Sequence, residues 1–204
     1  NICTSQVLLA NLAGMYAVYH GPEGVKRIAT RIHALASAFA QAIKQAGMSI
    51  VHEQFFDTVL VNTQGQTEQI YQNAFNIGYN LRKVDDSHIA IAFNETSDAA
   101  DFGVLTQLFT GVAAQLSDDI SLSLPASLLR TDAILSHPVF NRYHTEHEML
   151  RYLKKLENKD LAMNHSMISL GSCTMKLNAT SEMLPITWNE FANVHPFAPR
   201  EQVG

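Results

Sequence analysis

The chain has 204 residues, 47% of them apolar and 16% charged, with 14 basic against 19 acidic side chains and a net charge of -5. The apolar share can build a core and excludes disorder as a description of the whole, while the charged share is well below the common level of about 25%. No Lys or Arg stripe could neutralise phosphates, so neither nucleic acid nor an anionic membrane is an expected partner. The two cysteines, Cys3 and Cys173, have no C-x-x-C spacing. They indicate neither a zinc site nor a disulfide framework, and a reducing compartment fits best.

The first stretch, Asn1 to Pro22, contains no Asp, Glu, Lys or Arg. It lacks the basic start of a signal peptide. Gln6, Asn11, Gly14, Tyr16 and His20 interrupt it too often for a membrane span. The expectation is a helix buried inside a larger soluble structure. The first residue is not Met, which fits a processed or excised chain, and we read it as excised.

After Gly21-Pro22, apolar residues recur at Val25, Ile28, Ala29, Ile32, Leu35, Ala36, Phe39, Ala40 and Ile43. That spacing predicts a long amphipathic helix, closed by Gly47. Met48 to Val51 and Thr58 to Val61 read as strands. Thr67 is a candidate cap for a helix through Ile70, Tyr71, Ala74, Ile77 and Leu81. Ile89 to Phe93 reads as a further strand. The polar cluster Asn94 to Asp98 then starts a helix whose face carries Phe102, Leu105, Leu108, Phe109, Val112 and Leu116. The expected class is α+β, a small sheet covered by helices.

Ser117 to His144 shows no sustained period and contains Pro125 and Pro138; it reads as a connection with short helical turns. Thr145 and Glu148 match a capping box that opens a helix through Leu150, Leu153 and Leu156. From Asp160 the pattern is irregular, punctuated by Pro185, Pro196 and Pro199.

Two constellations bear on chemistry. His144 and His147 have an i, i+3 spacing, but the capping box places His144 outside the helix and no acidic or Cys cluster completes a metal site. The segment Leu170 to Asn178 gathers Gly171, Ser172, Thr174, Lys176 and Asn178. Its hydroxyls, cation and amide could hold a carboxylate or phosphate, and an ordinary polar loop is the other reading. Cys173 has no neighbouring base in sequence to make it a nucleophile.

Five stretches carry a resemblance: Asn-Ile-Cys-Thr-Ser-Gln-Val-Leu-Leu-Ala-Asn at 1–11, Tyr-Ala-Val-Tyr-His-Gly-Pro at 16–22, His-Pro-Val-Phe-Asn-Arg-Tyr-His at 137–144, Leu-Gly-Ser-Cys-Thr-Met-Lys-Leu-Asn at 170–178 and Pro-Ile-Thr-Trp at 185–188. In this order they closely resemble the central part of the P-protein family of the glycine cleavage system, the glycine decarboxylases. The resemblance covers nearly the whole chain and a minority of the family protein.

It implies a polypeptide of two homologous halves, each like a fold-type I pyridoxal-phosphate enzyme with a large and a small domain. Residues 1–116 would then be the small α+β domain ending the first half, 117–160 the connection between halves, and 161–204 the incomplete start of a second-half domain. The implied reaction decarboxylates glycine on pyridoxal phosphate and passes the aminomethyl group to the lipoyl carrier protein (H-protein), in a homo-oligomeric enzyme. The compartment would be the bacterial cytoplasm or the mitochondrial matrix.

The resemblance implies that the family's Schiff-base lysine lies in the second half, beyond Gly204, and Lys26, Lys44, Lys83, Lys154, Lys155, Lys159 and Lys176 do not match its motif. The chain alone is therefore expected to be inert and to bind no pyridoxal phosphate or metal. The resemblance makes Ser172, Thr174, Lys176 and Asn178 the substrate-binding candidates. Ser169 stands where the family usually has proline, which would loosen the loop's entry. Alternative readings are a free-standing ligand-binding or interaction module, or part of another fold-type I enzyme such as an aminotransferase.

Overall fold

The computed structural model describes residues 5–116, 124–162, 164, 165, 167 and 179–203. The chain divides into two compact units, Asn1–His144 and Thr145–Gly204.

The first unit opens with helix α1 (Ser5–Gln45), followed by strands β1 (Ser49–Ile50) and β2 (Thr58–Asn62), helix α2 (Thr67–Asn76), strands β3 (Arg82–Lys83) and β4 (His88–Ala92), and helix α3 (Ala99–Thr110). The strands form one antiparallel sheet in the order β1-β2-β4-β3. Val59 lies opposite Ile91 and Val61 opposite Ile89, so four buried β-branched side chains share one face. Helix α1 lays Ile32, Leu35, Ala36, Phe39, Ala40 and Ile43 into the same core, α2 adds Ile70, and α3 adds Phe102, Leu105 and Phe109. This is the α+β class expected, a small sheet covered by helices.

Several boundaries differ from the periodicity reading, each for a local reason. Thr67 does not cap α2. The cap position is Gln66, with no side-chain bond, while the buried Thr67 hydroxyl donates to the Asp86 carbonyl at 2.8 Å and lies against the Thr63 hydroxyl. Helix α2 stops at Asn76 rather than reaching Leu81, because Gly78 turns into the left-handed region at φ 87°. Helix α3 stops at Thr110, with Gly111 left-handed at φ 79°, which leaves Val112 exposed. Strand β3 is a pair of exposed charged residues and has no apolar alternation to announce it.

The start of α3 is held by a full capping box. Asp98 accepts from Ala100 and Asp101 N–H at 2.8 and 3.0 Å, and Asp101 Oδ2 accepts from Asp98 N–H at 3.1 Å. A cap of this kind is worth about 1 kcal/mol. The other Asp101 oxygen accepts the Tyr79 hydroxyl at 2.6 Å, so one carboxylate ties the α2–β3 loop to the first turn of α3.

The charge-free start of the chain forms the helix expected of it. Ser5 to His20 is helical, but Leu8 and Leu9 are each 64% exposed and Leu12 is 57% exposed. Nothing among the described residues covers them. No described helix is long and apolar enough to cross a membrane.

The connecting stretch contains 3-10 turns at Ala126–Leu128 and Pro138–Asn141. In the second unit, Thr145 caps α4 (Glu146–Glu157) by accepting from Glu148 N–H at 3.3 Å. The box is one-sided, because the Thr145 hydroxyl donates to Glu148 Oε2 at 3.2 Å. Two single-turn helices follow, α5 (Thr180–Met183) and α6 (Asn189–Ala192), with 3-10 turns at Leu184–Thr187 and Arg200–Gln202.

Two outcomes follow from this packing. The exposed leucines of the arm should drive self-association of the 204-residue chain. Leu8→Glu with Leu12→Glu should lower its mass in light scattering, and a monodisperse parent monomer at high concentration contradicts this. The hydrogen bond to Asp101 pushes the Tyr79 phenol up to about 12. Its native pKa thus exceeds the unfolded value of about 10. The stabilisation from this bond is complete below that unfolded value and is lost as pH rises through about 12. Alkaline ultraviolet titration should show one late-ionising tyrosine, absent in Tyr79→Phe.

Candidate functional site

The segment 171–178, with the candidates Ser172, Thr174, Lys176 and Asn178, lies outside the described residues. The site that can be built from side chains is a cleft of about 320 Å³ in the first unit, lined by Tyr19, His20, Gly21, Pro22, Glu23, Gly24, Arg27, Asn141 and His144. It brings together two of the stretches that carried the resemblance, 16–22 and 137–144.

The cleft exists because α1 breaks. Gly21 adopts φ 62°, ψ -177° inside an otherwise continuous helix, a conformation open essentially to glycine alone. Pro22 follows and has no N–H for the preceding turn. The 137–144 segment fills the notch: a Cβ on Gly21 would lie 2.6 Å from the Phe140 carbonyl oxygen and 2.7 Å from His144 Cε1.

The polar groups are partly committed. His144 Nδ1–H donates to the Tyr19 carbonyl at 2.7 Å, since a carbonyl oxygen can only accept. Asn141 Nδ2 donates to the Leu135 and His137 carbonyls at 3.2 and 3.3 Å, leaving its carbonyl oxygen. His20 packs against Tyr16 and Tyr19, with ring centroids 4.3 and 5.3 Å away. Glu23 pairs with Lys26 at 3.2 Å. Arg27 lines the cleft without an ion pair among the described residues. The arrangement offers a small polar group the Arg27 guanidinium as donor and the Asn141 carbonyl oxygen as acceptor, with no activated nucleophile among the described residues.

Sequence reasoning read Gly21-Pro22 as a helix start and did not join it to His144. A Gly-Pro pair between two helical patterns was the available signal. No group of three His, Cys, Asp or Glu among the described residues could hold a metal ion.

Comparison with known proteins gives this site a context. The family model for the glycine cleavage system P-protein matches residues 1–109. The chain belongs to that family. It is 69% identical to a protein named glycine dehydrogenase (decarboxylating) from Psychrobacter cryohalolentis, with all of this chain and 22% of the relative aligned. Proteins of the same name from Chromobacterium violaceum and Dechloromonas aromatica are 63% and 54% identical over 99% of the chain, again 22% of each relative. The chain thus spans about a fifth of the length of the curated relatives it matches.

Pyridoxal-phosphate chemistry uses a lysine amine that gives up its proton, which a desolvated setting favours. Lys26, Lys44, Lys83 and Lys154 are instead paired at the surface with Glu23, Glu53, Glu68 and Glu157. Lys83 is held above its ordinary range, chiefly by its bond to Glu68. Lys155 and Lys159 are exposed. Lys176 lies outside the described residues.

The Gly21 notch yields a direct outcome. Gly21→Ala combines a forbidden backbone region with a clash and should cost about 2–4 kcal/mol. Gly14→Ala, with nothing within 4 Å, should be neutral or stabilise by up to about 1 kcal/mol. Thermal melts of the two variants check the contrast; equal melting would contradict it.

Proposed function

We propose that this chain is one segment of a glycine dehydrogenase (decarboxylating), and that it supports that enzyme's architecture without carrying the reaction itself. The observation behind this reading is identity of 54–69% along essentially the whole chain to proteins of that name. The whole enzyme would take glycine as substrate and deliver the aminomethyl group to a lipoyl carrier protein. Pyridoxal phosphate, when bound, supplies the electron sink for decarboxylation. We assign it to parts of the enzyme other than the lysines described above.

The domain reading goes with this assignment: 1–116 as the small domain ending one half, 117–160 as the connection, and 161–204 as the opening of the next half. We take the enzyme to be a homo-oligomer, as the resemblance implies, and place it in the bacterial cytoplasm because its relatives here are bacterial. Within the chain, Ser172, Thr174, Lys176 and Asn178 are the residues we assign to the substrate side. Hydroxyls, an ammonium and an amide together match the hydrogen-bonding needs of the glycine carboxylate.

The test uses the complete reading frame that contains this chain, expressed and assayed for glycine-dependent exchange of labelled bicarbonate with a lipoyl carrier protein present. Activity is expected, and Lys176→Ala in that protein should raise the KM for glycine about tenfold, as loss of one charge-assisted bond would. The 204-residue chain alone should give no saturable spectral change with pyridoxal phosphate. An inactive full-length protein overturns the family activity. A lysine-bound cofactor spectrum in the isolated chain overturns the non-catalytic role.

A further inference from the structure

We propose that the His144 imidazole is a latch that holds α1 at one angle through its break at Gly21, and so sets the direction in which the Ser5–His20 arm leaves the body of the first unit. The inference concerns the chain's own conformation and stands apart from the proposed activity.

A helix interrupted by glycine and then proline is a natural hinge. Glycine has a wide range of φ and ψ, and proline cannot return a hydrogen bond to the preceding turn. Left free, such a hinge would let the arm sweep. The arm has little else to steady it among the described residues: every residue from Gln6 to Gly14 is exposed, and from Gln6 to His20 only Val18 is buried.

The structure closes the hinge from the side. His144 Nδ1–H is 2.7 Å from the carbonyl of Tyr19, on the arm side of the break. The same imidazole occupies, with the Phe140 carbonyl, the space that a Cβ on Gly21 would need. Gly21 therefore does two things at once. It supplies the backbone angle that makes the kink and the vacancy that admits the group restraining it. Segment 137–144 is anchored in turn by Asn141, which bonds the Leu135 and His137 carbonyls, and by the His137 side chain capping Val139 N–H at 3.2 Å. The restraint is thus built on a turn with its own internal bonds. Its effect is to present Leu8, Leu12 and Tyr16, one face of the arm at i, i+4, i+8 spacing, in a fixed direction.

The experiment is a pulsed dipolar distance measurement on the 204-residue chain, with Cys3→Ser and Cys173→Ser and spin labels at Gln6→Cys and Gln41→Cys. Labelled chain is diluted with unlabelled chain so that only intramolecular distances are read. A single narrow distance is expected for this background. His144→Ala should lose the narrow component, whereas His144→Asn, whose Nδ2–H can reach the same carbonyl, should keep it. The proposal is overturned if His144→Ala stays as narrow as the background or if His144→Asn broadens equally. It is also overturned if His144→Ala abolishes cooperative melting, since His144 would then belong to the core fold rather than to the arm's hinge.

Discussion

The first unit depends on one packing event, the burial of Phe39 where α1, the end of β4 and α3 meet. Its ring lies 5.7 Å from Phe93 and 5.5 Å from Phe109, the latter edge to face, and its side chain is wholly removed from solvent. Aromatic contacts of this kind add to the area they bury, and deleting such a side chain costs about 3–5 kcal/mol. With Phe39 placed, the helical period brings Ile32, Leu35, Ala36, Ala40 and Ile43 onto the sheet. The β2–β4 register then follows, since a slip by one residue would turn Val59, Val61, Ile89 and Ile91 away from that helix.

The same constraint explains the polar interior. A helix that must present Phe39 to the sheet also carries His33 inward, where it is almost wholly buried. An imidazole there needs partners, and the chain provides them locally: Nδ1–H donates to the Phe56 carbonyl at 2.7 Å, and the ring stacks on Phe56. Thr63 and Thr67 meet a comparable demand. Both are buried, and both donate to carbonyls of the turn before β4, those of Ser87 and Asp86. Hydroxyls that could have served a helix cap or solvent are used to hold a turn against the sheet. No buried side-chain polar atom among the described residues lacks a partner.

What was legible in the sequence is what periodicity encodes. The apolar rows of α1 and α3 and the β-branched runs of β2 and β4 identified the elements, because each buries one face against the same core. The limits of those elements were less legible. Gly78 and Gly111 end helices whose apolar pattern continues past them, and Thr67 looks like a cap because its competing partner, Asp86, is distant in sequence. β3 is set by pairing with Ala90 and Ile89 of β4, and a two-residue charged strand has no pattern of its own. The cleft at Gly21 was illegible for the same reason. Its walls come from residues more than a hundred positions apart, and no local rule connects Tyr19 to His144. The polar segment 171–178 was readable by composition and family likeness, which name residue types and not their arrangement.

Helix α1 is one continuous run of backbone divided into two physical regimes at Gly21. Beyond the break, Glu23, Lys26, Arg27, Arg31 and Lys44 lie on the outer side while the apolar row faces the sheet, as suits a helix with protein on one side and water on the other. Before the break there is no charge at all, and Val7, Leu8, Leu9 and Leu12 cover more than one side of the cylinder. A helix of that composition is suited to apolar surroundings on several sides, which the body of this unit does not offer it. The break then acquires a physical rationale. A straight helix would continue along the line of the core, whereas a kink of fixed hand at Gly21 carries the uncharged half away from that line. The uncharged helical stretch Ser5 to His20 therefore lies wholly on the far side of Gly21, the residue whose backbone angle makes the separation possible.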